Sequence, residues 1–269
     1  MSLPKLPDCL LAELNESGVL TLTLNRPDAL NAFDDELSFA LHEGLKFAEK
    51  DKAVRAILLT GAGRGFCAGQ DLKSRSIQAG SDAQVHLGES IRKRYAPIIN
   101  KLSAIEKPVL AAVNGVAAGA GASIAFACDI RLCVPEAKFI QAFVKVGLIP
   151  DSGACWLLPR LIGYGRAMVL AMSGDPMTAE QAFAWGAVNK IVEADSLQSE
   201  AQALAVQLAN GPTKALGLMK RAFQYGTAVS LESFLNYEAD LQEIAGRTSD
   251  YQAGVQAFSE KRAPVFSGK

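Results

Sequence analysis

One stretch limits the fold more than any other: Pro108 to Asp129, PVLAAVNGVAAGAGASIAFACD. Val109–Val113 is a short apolar run of strand length, followed by a tight turn of small residues and an Ala-rich helical segment. Gly115, Gly119 and Gly121 carry no side chain, so other groups can approach the backbone closely there. A helix opening at this turn points its unpaired N–H groups and the positive end of its dipole into the gap. Such a gap stabilises negative charge, either a bound anion or an oxyanion formed during a reaction. Tight helix–sheet packing would account for the same glycines without any function. A membrane span is a third reading, since about 20 uncharged residues cross a bilayer. Pro108, Asn114 and the Ala/Gly-heavy composition argue against it.

The rest of the front half alternates strand and helix. In VLTLTLNRP (Val19–Pro27), Leu20, Leu22 and Leu24 alternate with Thr21 and Thr23, a half-buried strand that Pro27 ends. Leu37, Leu41, Leu45 and Ala48 recur at helical spacing between Asp34 and Lys50. Val54–Thr60 is then a buried strand, which completes a βαβ unit. Tyr95–Ser103 reads as a helix, Asp129–Val134 as a strand and Lys138–Phe143 as a short extended piece. Past Gly163 the pattern is wholly helical: a capping box at Thr178–Gln181, then amphipathic helices over Asp195–Asn210, Thr213–Tyr225 and Ser230–Gly246. Ser249–Gln252 is expected to cap the last helix.

Composition removes several function classes. A formal net charge of −1 over 269 residues gives no general attraction to nucleic acid or an anionic membrane. The five cysteines form no CxxC pair and read as small buried hydrophobes in a reducing compartment. Met1–Leu10 has no basic region followed by an apolar core, so a cytoplasmic location is expected. His42 and His86, the two histidines, stand near no nucleophile motif, and no His/Cys/carboxylate cluster has metal-ligand spacing.

Two further loops carry chemistry. GAGRGFCAGQDL (Gly61–Leu72) follows a strand but has Phe66 where a dinucleotide-binding turn needs its third glycine, and it lacks the Gly-Lys-Ser/Thr of a phosphate loop. What remains is a glycine-rich turn whose amides can face a ligand, with Asp71 placed to cap a following helix. Ser74–Gly88 reads as a polar surface loop near the site. In GLIPDSG (Gly147–Gly153), Asp151 sits among apolar residues just before a helix start. It is either an N-cap or an active-site carboxylate whose proton affinity is adjusted by partial burial.

Four segments, in order, resemble the crotonase (enoyl-CoA hydratase/isomerase) superfamily: Leu22–Phe33, Gly63–Leu72, Ala112–Ser123 and Ala137–Gly153. The resemblance covers essentially the whole chain. It implies an α/β fold, a spiral of repeated ββα units over residues 1–200, with a C-terminal helical region, 201–269, for assembly as a homotrimer or dimer of trimers. It also implies an acyl-CoA substrate, with the coenzyme part of the substrate and no separate cofactor, metal, nucleic-acid or membrane partner. The thioester oxygen would lie between the backbone N–H groups of Ala68 and Ala120, the latter following Gly119. CoA would run along Ala68, Gly69, Gln70, Asp71 and Leu72, with Arg26 near its polar part and Phe258 and Lys261 at its nucleotide end. Hydratases of the family add water with two glutamates. Here those positions hold Ser123 and Phe143, so hydration should be very poor. Asp151 occupies a position used by members that shift double bonds or attack aromatic thioesters. The resemblance therefore implies an isomerase with one catalytic carboxylate. Nucleophilic attack by Asp151 on an aryl-CoA is the close alternative, and an RNA-binding or non-catalytic relative the distant one.

Overall fold

The computed structural model describes residues 3–72 and 86–269. It opens with an antiparallel pair, β1 (Leu10–Leu14) and β2 (Val19–Leu24). Leu20, Leu22 and Leu24 are buried while Thr21 and Thr23 are half-buried, so the alternation decides which face of β2 enters the core. Asp34 caps α1 (Asp35–Lys50) by accepting the Leu37 N–H at 2.8 Å. Leu37, Leu41, Leu45 and Ala48 form its buried stripe.

From α1 onward the chain winds as a spiral. β3 (Ala56–Gly61), β5 (Val109–Val113) and β7 (Ile130–Cys133) are parallel neighbours in one sheet. Each is followed by a shorter strand in a second sheet: β4 (Gly65–Cys67), β6 (Val116–Ala118) and β8 (Lys138–Ile140). Helices close the turns. After β4 come α2 (Leu87–Ser90), a π-helical turn (Ile91–Tyr95) and α3 (Ala96–Ala104). After β6 comes α4 (Ala120–Ala127), and after β8 come α5 (Ala154–Ile162) and α6 (Tyr164–Ser173). This is the expected spiral of ββα units. Of the surface loop expected over Ser74–Gly88, the part up to residue 85 lies outside the described residues.

The back half is less purely helical than its pattern. β9 (Pro176–Thr178) pairs antiparallel with β8, and β10 (Lys190–Ile191) extends the long sheet beside β7. Strands of three and two residues are too short to show a period, and they exist because the sheet edges offer them partners. Between them α7 (Ala179–Ala184) carries the expected Thr178/Gln181 capping box. The division expected at 200/201 falls inside α8 (Leu197–Ala209), whose Ala201, Ala205 and Ala209 are fully buried where it packs on β3 and β5. Three further helices follow, α9 (Thr213–Gly226), α10 (Leu231–Gly246) and α11 (Ser249–Ser259). The α11 cap is Thr248, one residue before the expected Ser249, its hydroxyl accepting from the Tyr251 N–H. Four cysteines are buried as expected, but Cys155 is exposed. No described helix is long and apolar enough to cross a membrane.

One half-buried cation gives a pH-dependent stability. Lys107 Nζ reaches past the end of α1 to the carbonyls of Ala48 and Asp51. Burial pushes its pKa down to about 8, against the smaller opposing pull of Asp51 and Glu49. Above about 8 the folded chain sheds a proton that the unfolded chain keeps until near 10.5, so this group favours folding increasingly as pH rises. The Lys107→Met variant lacks that gain. In urea titrations, the stability of wild type relative to the variant should rise between pH 7.5 and pH 10, and a flat difference would contradict it.

Candidate active site

The two glycine-bearing loops meet. Gly121, in the first turn of α4, is pressed onto the turn after β4, and a Cβ there would stand 2.3 Å from the Cys67 carbonyl oxygen. Gly69 closes the contact from the other side with φ +93°, where a Cβ would lie 2.8 Å from the Ala118 carbonyl and 3.5 Å from the Ala120 nitrogen. Glycine is required at both positions, one for space and one also for conformation. Gly119 heads α4 without a side-chain cap, so the first N–H groups of the helix have no intrahelical acceptor. At the far end, the buried Arg131 guanidinium donates to the Phe126, Cys128 and Ala187 carbonyls. A cation on the last carbonyls of α4 suits the helix dipole and ties that end to the core.

A cavity of about 540 Å³ lies against this junction. Ala68, Gly69, Gln70, Gly119 and Ala120 form its backbone wall, and Phe143, Val146, Leu148 and Ile149 supply much of its apolar lining. Asp151 is the only charged side chain on it among the described residues. Its carboxylate accepts from the Ser152 hydroxyl at 2.8 Å. Ser152 is buried and holds φ +52°, an unfavourable conformation for a side-chain-bearing residue, which the surrounding packing enforces. Ser123, fully buried on α4, shares its hydroxyl between the Gly119 carbonyl at 3.1 Å and the Asp151 carbonyl at 3.2 Å. So α4 steadies the turn that carries the acid. The capping reading of Asp151 fails: α5 begins from Gly153 with no side-chain cap, and only the Asp151 carbonyl serves the helix.

Of the two amides expected to hold the thioester oxygen, one is already taken. The Ala68 N–H donates to the Leu30 carbonyl at 2.9 Å, so it is already engaged although Ala68 lines the cavity. Two residues on, the Gln70 N–H has no acceptor among the described residues, and neither does that of Ala120. The motif points to this turn, and the β-bridge between Phe33 and Gln70 decides which of its amides stays open. Gln70 is further fixed by its side chain, which accepts from the Tyr95 hydroxyl at 2.6 Å and donates to the Phe33 carbonyl at 2.9 Å. Sequence reasoning missed Tyr95 because a buried aromatic at a helix start looks like core. Its ring does pack edge-on against Phe33.

Other expected residues fall in different places. Phe143 covers the entry to α4, its ring tip 3.7 Å from where a Gly119 Cβ would stand. Leu72 is exposed at the cavity rim. Arg26 is bound by Asp34 at 3.1 Å and Asp71 at 3.0 Å, so its charge is locally offset. Asp71 therefore serves Arg26, and the helix it was expected to cap lies outside the described residues. Phe258 and Lys261 stand away from the cavity on and just after α11; Phe258 is 88% exposed, which excludes core packing within this chain. The Cys67 thiol in the turn is pushed up to about 12 by burial and is inert at neutral pH.

With this geometry in place, the model of the enoyl-CoA hydratase/isomerase family matches residues 14–269. The chain belongs to that family. Among enoyl-CoA hydratase/isomerase relatives, the 1,2-epoxyphenylacetyl-CoA isomerase of Escherichia coli is 50% identical over 254 residues, 94% of this chain and 97% of that protein. A 4-chlorobenzoyl coenzyme A dehalogenase of an Arthrobacter species is 37% identical over 221 residues, 82% of this chain and 80% of its own. Among solved structures, one from Mycobacterium abscessus assigned to the enoyl-CoA hydratase/isomerases superposes with a TM-score of 0.92 at 38% identity, covering 97% of this chain and all of the other. The chain is thus an enzyme of the acyl-CoA isomerase/hydratase type with the crotonase fold.

Proposed function

We propose that this enzyme isomerises acyl-CoA thioesters, converting ring-1,2-epoxyphenylacetyl-CoA to oxepin-CoA and moving 3-enoyl double bonds to the 2-position. The observation that carries this reading is Asp151, the one charged side chain on the cavity among the described residues, beside two backbone donors, Gln70 and Ala120, that have no acceptor among them. In double-bond migration the thioester oxygen lies between those N–H groups, which stabilise the enolate. Asp151 takes a proton from C2, the electrons delocalise over C2 to C4, and the same carboxyl returns the proton to C4. The step balances with substrate and Asp151 alone. Ser152, by donating to one carboxylate oxygen, helps to fix the orientation of the base. Ser123 and Phe143 leave no pair of acids to bind and activate water.

CoA is proposed to follow the turn from Ala68 to Leu72, with Phe258 and Lys261 contributing to its nucleotide end. Arg26 then acts by holding the Leu30–Ala32 turn more than by contributing free charge, since two carboxylates already face it. Assembly as a homotrimer or dimer of trimers is supported by the exposed Phe223, Leu231, Leu235 and Val255 on α9–α11. A cytoplasmic location completes the reading.

The test is purified protein with freshly generated ring-epoxide phenylacetyl-CoA, followed by product mass and absorbance. Oxepin-CoA is the expected product. Turnover of 3-enoyl-CoAs alone would restrict the enzyme to double-bond migration, and turnover of neither would refute the proposal. The second reading, in which Asp151 attacks an aryl-CoA, is favoured by the 37% identity to the dehalogenase. It requires a covalent aryl ester on Asp151, which intact-protein mass after rapid quenching would reveal.

A further inference from the structure

Phe33, Gln70 and Tyr95, from separate parts of the chain, close a triangle around the turn after β4. The Phe33 N–H donates to the Gly69 carbonyl at 2.7 Å. The peptide joining Gly69 to Gln70 is trans, so with its carbonyl aimed at Phe33 its N–H, the Gln70 donor, points the opposite way. The bridge between Phe33 and Gln70 is isolated, without the ladder on either side that holds a peptide plane in a sheet. The Gln70 side chain supplies part of that hold. Its Nε2 donates back to the Phe33 carbonyl at 2.9 Å, and its Oε1 accepts from the Tyr95 hydroxyl at 2.6 Å. The Tyr95 ring meets Phe33 edge-on, with centroids 6.0 Å apart, which completes the triangle. Tyr95 is 3% exposed and ends the π-helical turn before α3, a rare conformation that recurs at functional sites.

We propose that Tyr95 is a positioning residue, whose hydroxyl acts through the Gln70 side chain to fix the direction of the Gln70 N–H at the thioester oxygen. The proposal rests on the donor pair assigned above.

Tyr95→Phe removes the hydroxyl and keeps the ring on Phe33. The probe is benzoyl-CoA, isotopically labelled at the thioester carbonyl and without a C2 proton to lose, read on the full chain by difference infrared spectroscopy. In wild type, two aligned donors should move the carbonyl band of the bound thioester to lower frequency. Tyr95→Phe should keep about half of that shift, because one donor of the two is misaligned. With 3-enoyl-CoA it should lose about tenfold in kcat with KM nearly unchanged, less than the loss of about 10²–10³-fold for a donor removed outright. A purely structural role would lower Tm and leave the band where it is in wild type. In Gln70→Leu both side-chain bonds are gone, so adding Tyr95→Phe should cost nothing more. Equal bands in wild type and Tyr95→Phe, or losses in kcat that add in the double variant, would overturn the role of Tyr95 and leave the donor pair standing. A wild-type band at the position of free benzoyl-CoA would overturn the donor pair and this proposal with it.

Discussion

Asp151→Asn should lower kcat for double-bond migration by about 10²–10⁴-fold, the range in which a positioned acid or base contributes. The substitution is nearly isosteric, and the Ser152 hydroxyl can still donate to the side-chain oxygen that remains. Fold and binding should therefore survive, leaving KM within a few-fold of wild type. That split separates loss of the base from loss of the pocket. Incorporation of solvent deuterium at C2 supplies a second readout. Wild type should exchange, because the enolate is formed beside the protonated acid, and the variant should not. If Asp151→Asn turned over normally, the carboxylate would be a bystander and the proton would have to move by another route. No second charged side chain lines the cavity among the described residues, so that route would have to run outside them.

The sequence showed the fold wherever burial imposes a period. β2 and α1 carry their alternation and stripe openly, and β5 matches the expected Val109–Val113 because all five residues are buried. β9 and β10 were hidden because two or three residues carry no period and are specified by the edges of strands already in place. The same division runs through the site. Asp151 and the α4 turn announced themselves through residue type, an acid among apolar neighbours and small residues at a helix start. Which amide of the FCAGQ turn stays open did not, because it depends on the Leu30 carbonyl, some forty residues away in sequence, taking the Ala68 N–H. Tyr95 was equally silent. A hydroxyl bonded to a neighbouring loop is a fact of three-dimensional placement that no spacing records.

Gly121→Ala should cost at least about 2–3 kcal/mol, the upper part of the usual range for forcing a methyl into a packed interior. The reason is geometric. The new carbon would stand 2.3 Å from the Cys67 carbonyl oxygen and 2.7 Å from the Cys67 Cβ, and the nearest atom is backbone and cannot rotate away. Either α4 retreats or the turn after β4 shifts, and both carry a proposed donor. For a chain of this size the loss corresponds to a fall in Tm of roughly 5–10 °C. Activity at a temperature where the variant is still folded should drop as well, through kcat, because the Gln70 and Ala120 amides no longer converge on one oxygen. Gly165→Ala is the matched control. It lies within α6 with nothing inside 4 Å of the added carbon, so better helix propensity should leave Tm unchanged or slightly higher. If Gly121→Ala melted and reacted like Gly165→Ala, the two loops would not be held in contact, and the donor pair would lose its structural basis. A large loss at Gly121 beside a silent Gly165 would instead make the helix–turn contact the element that holds both donors in place.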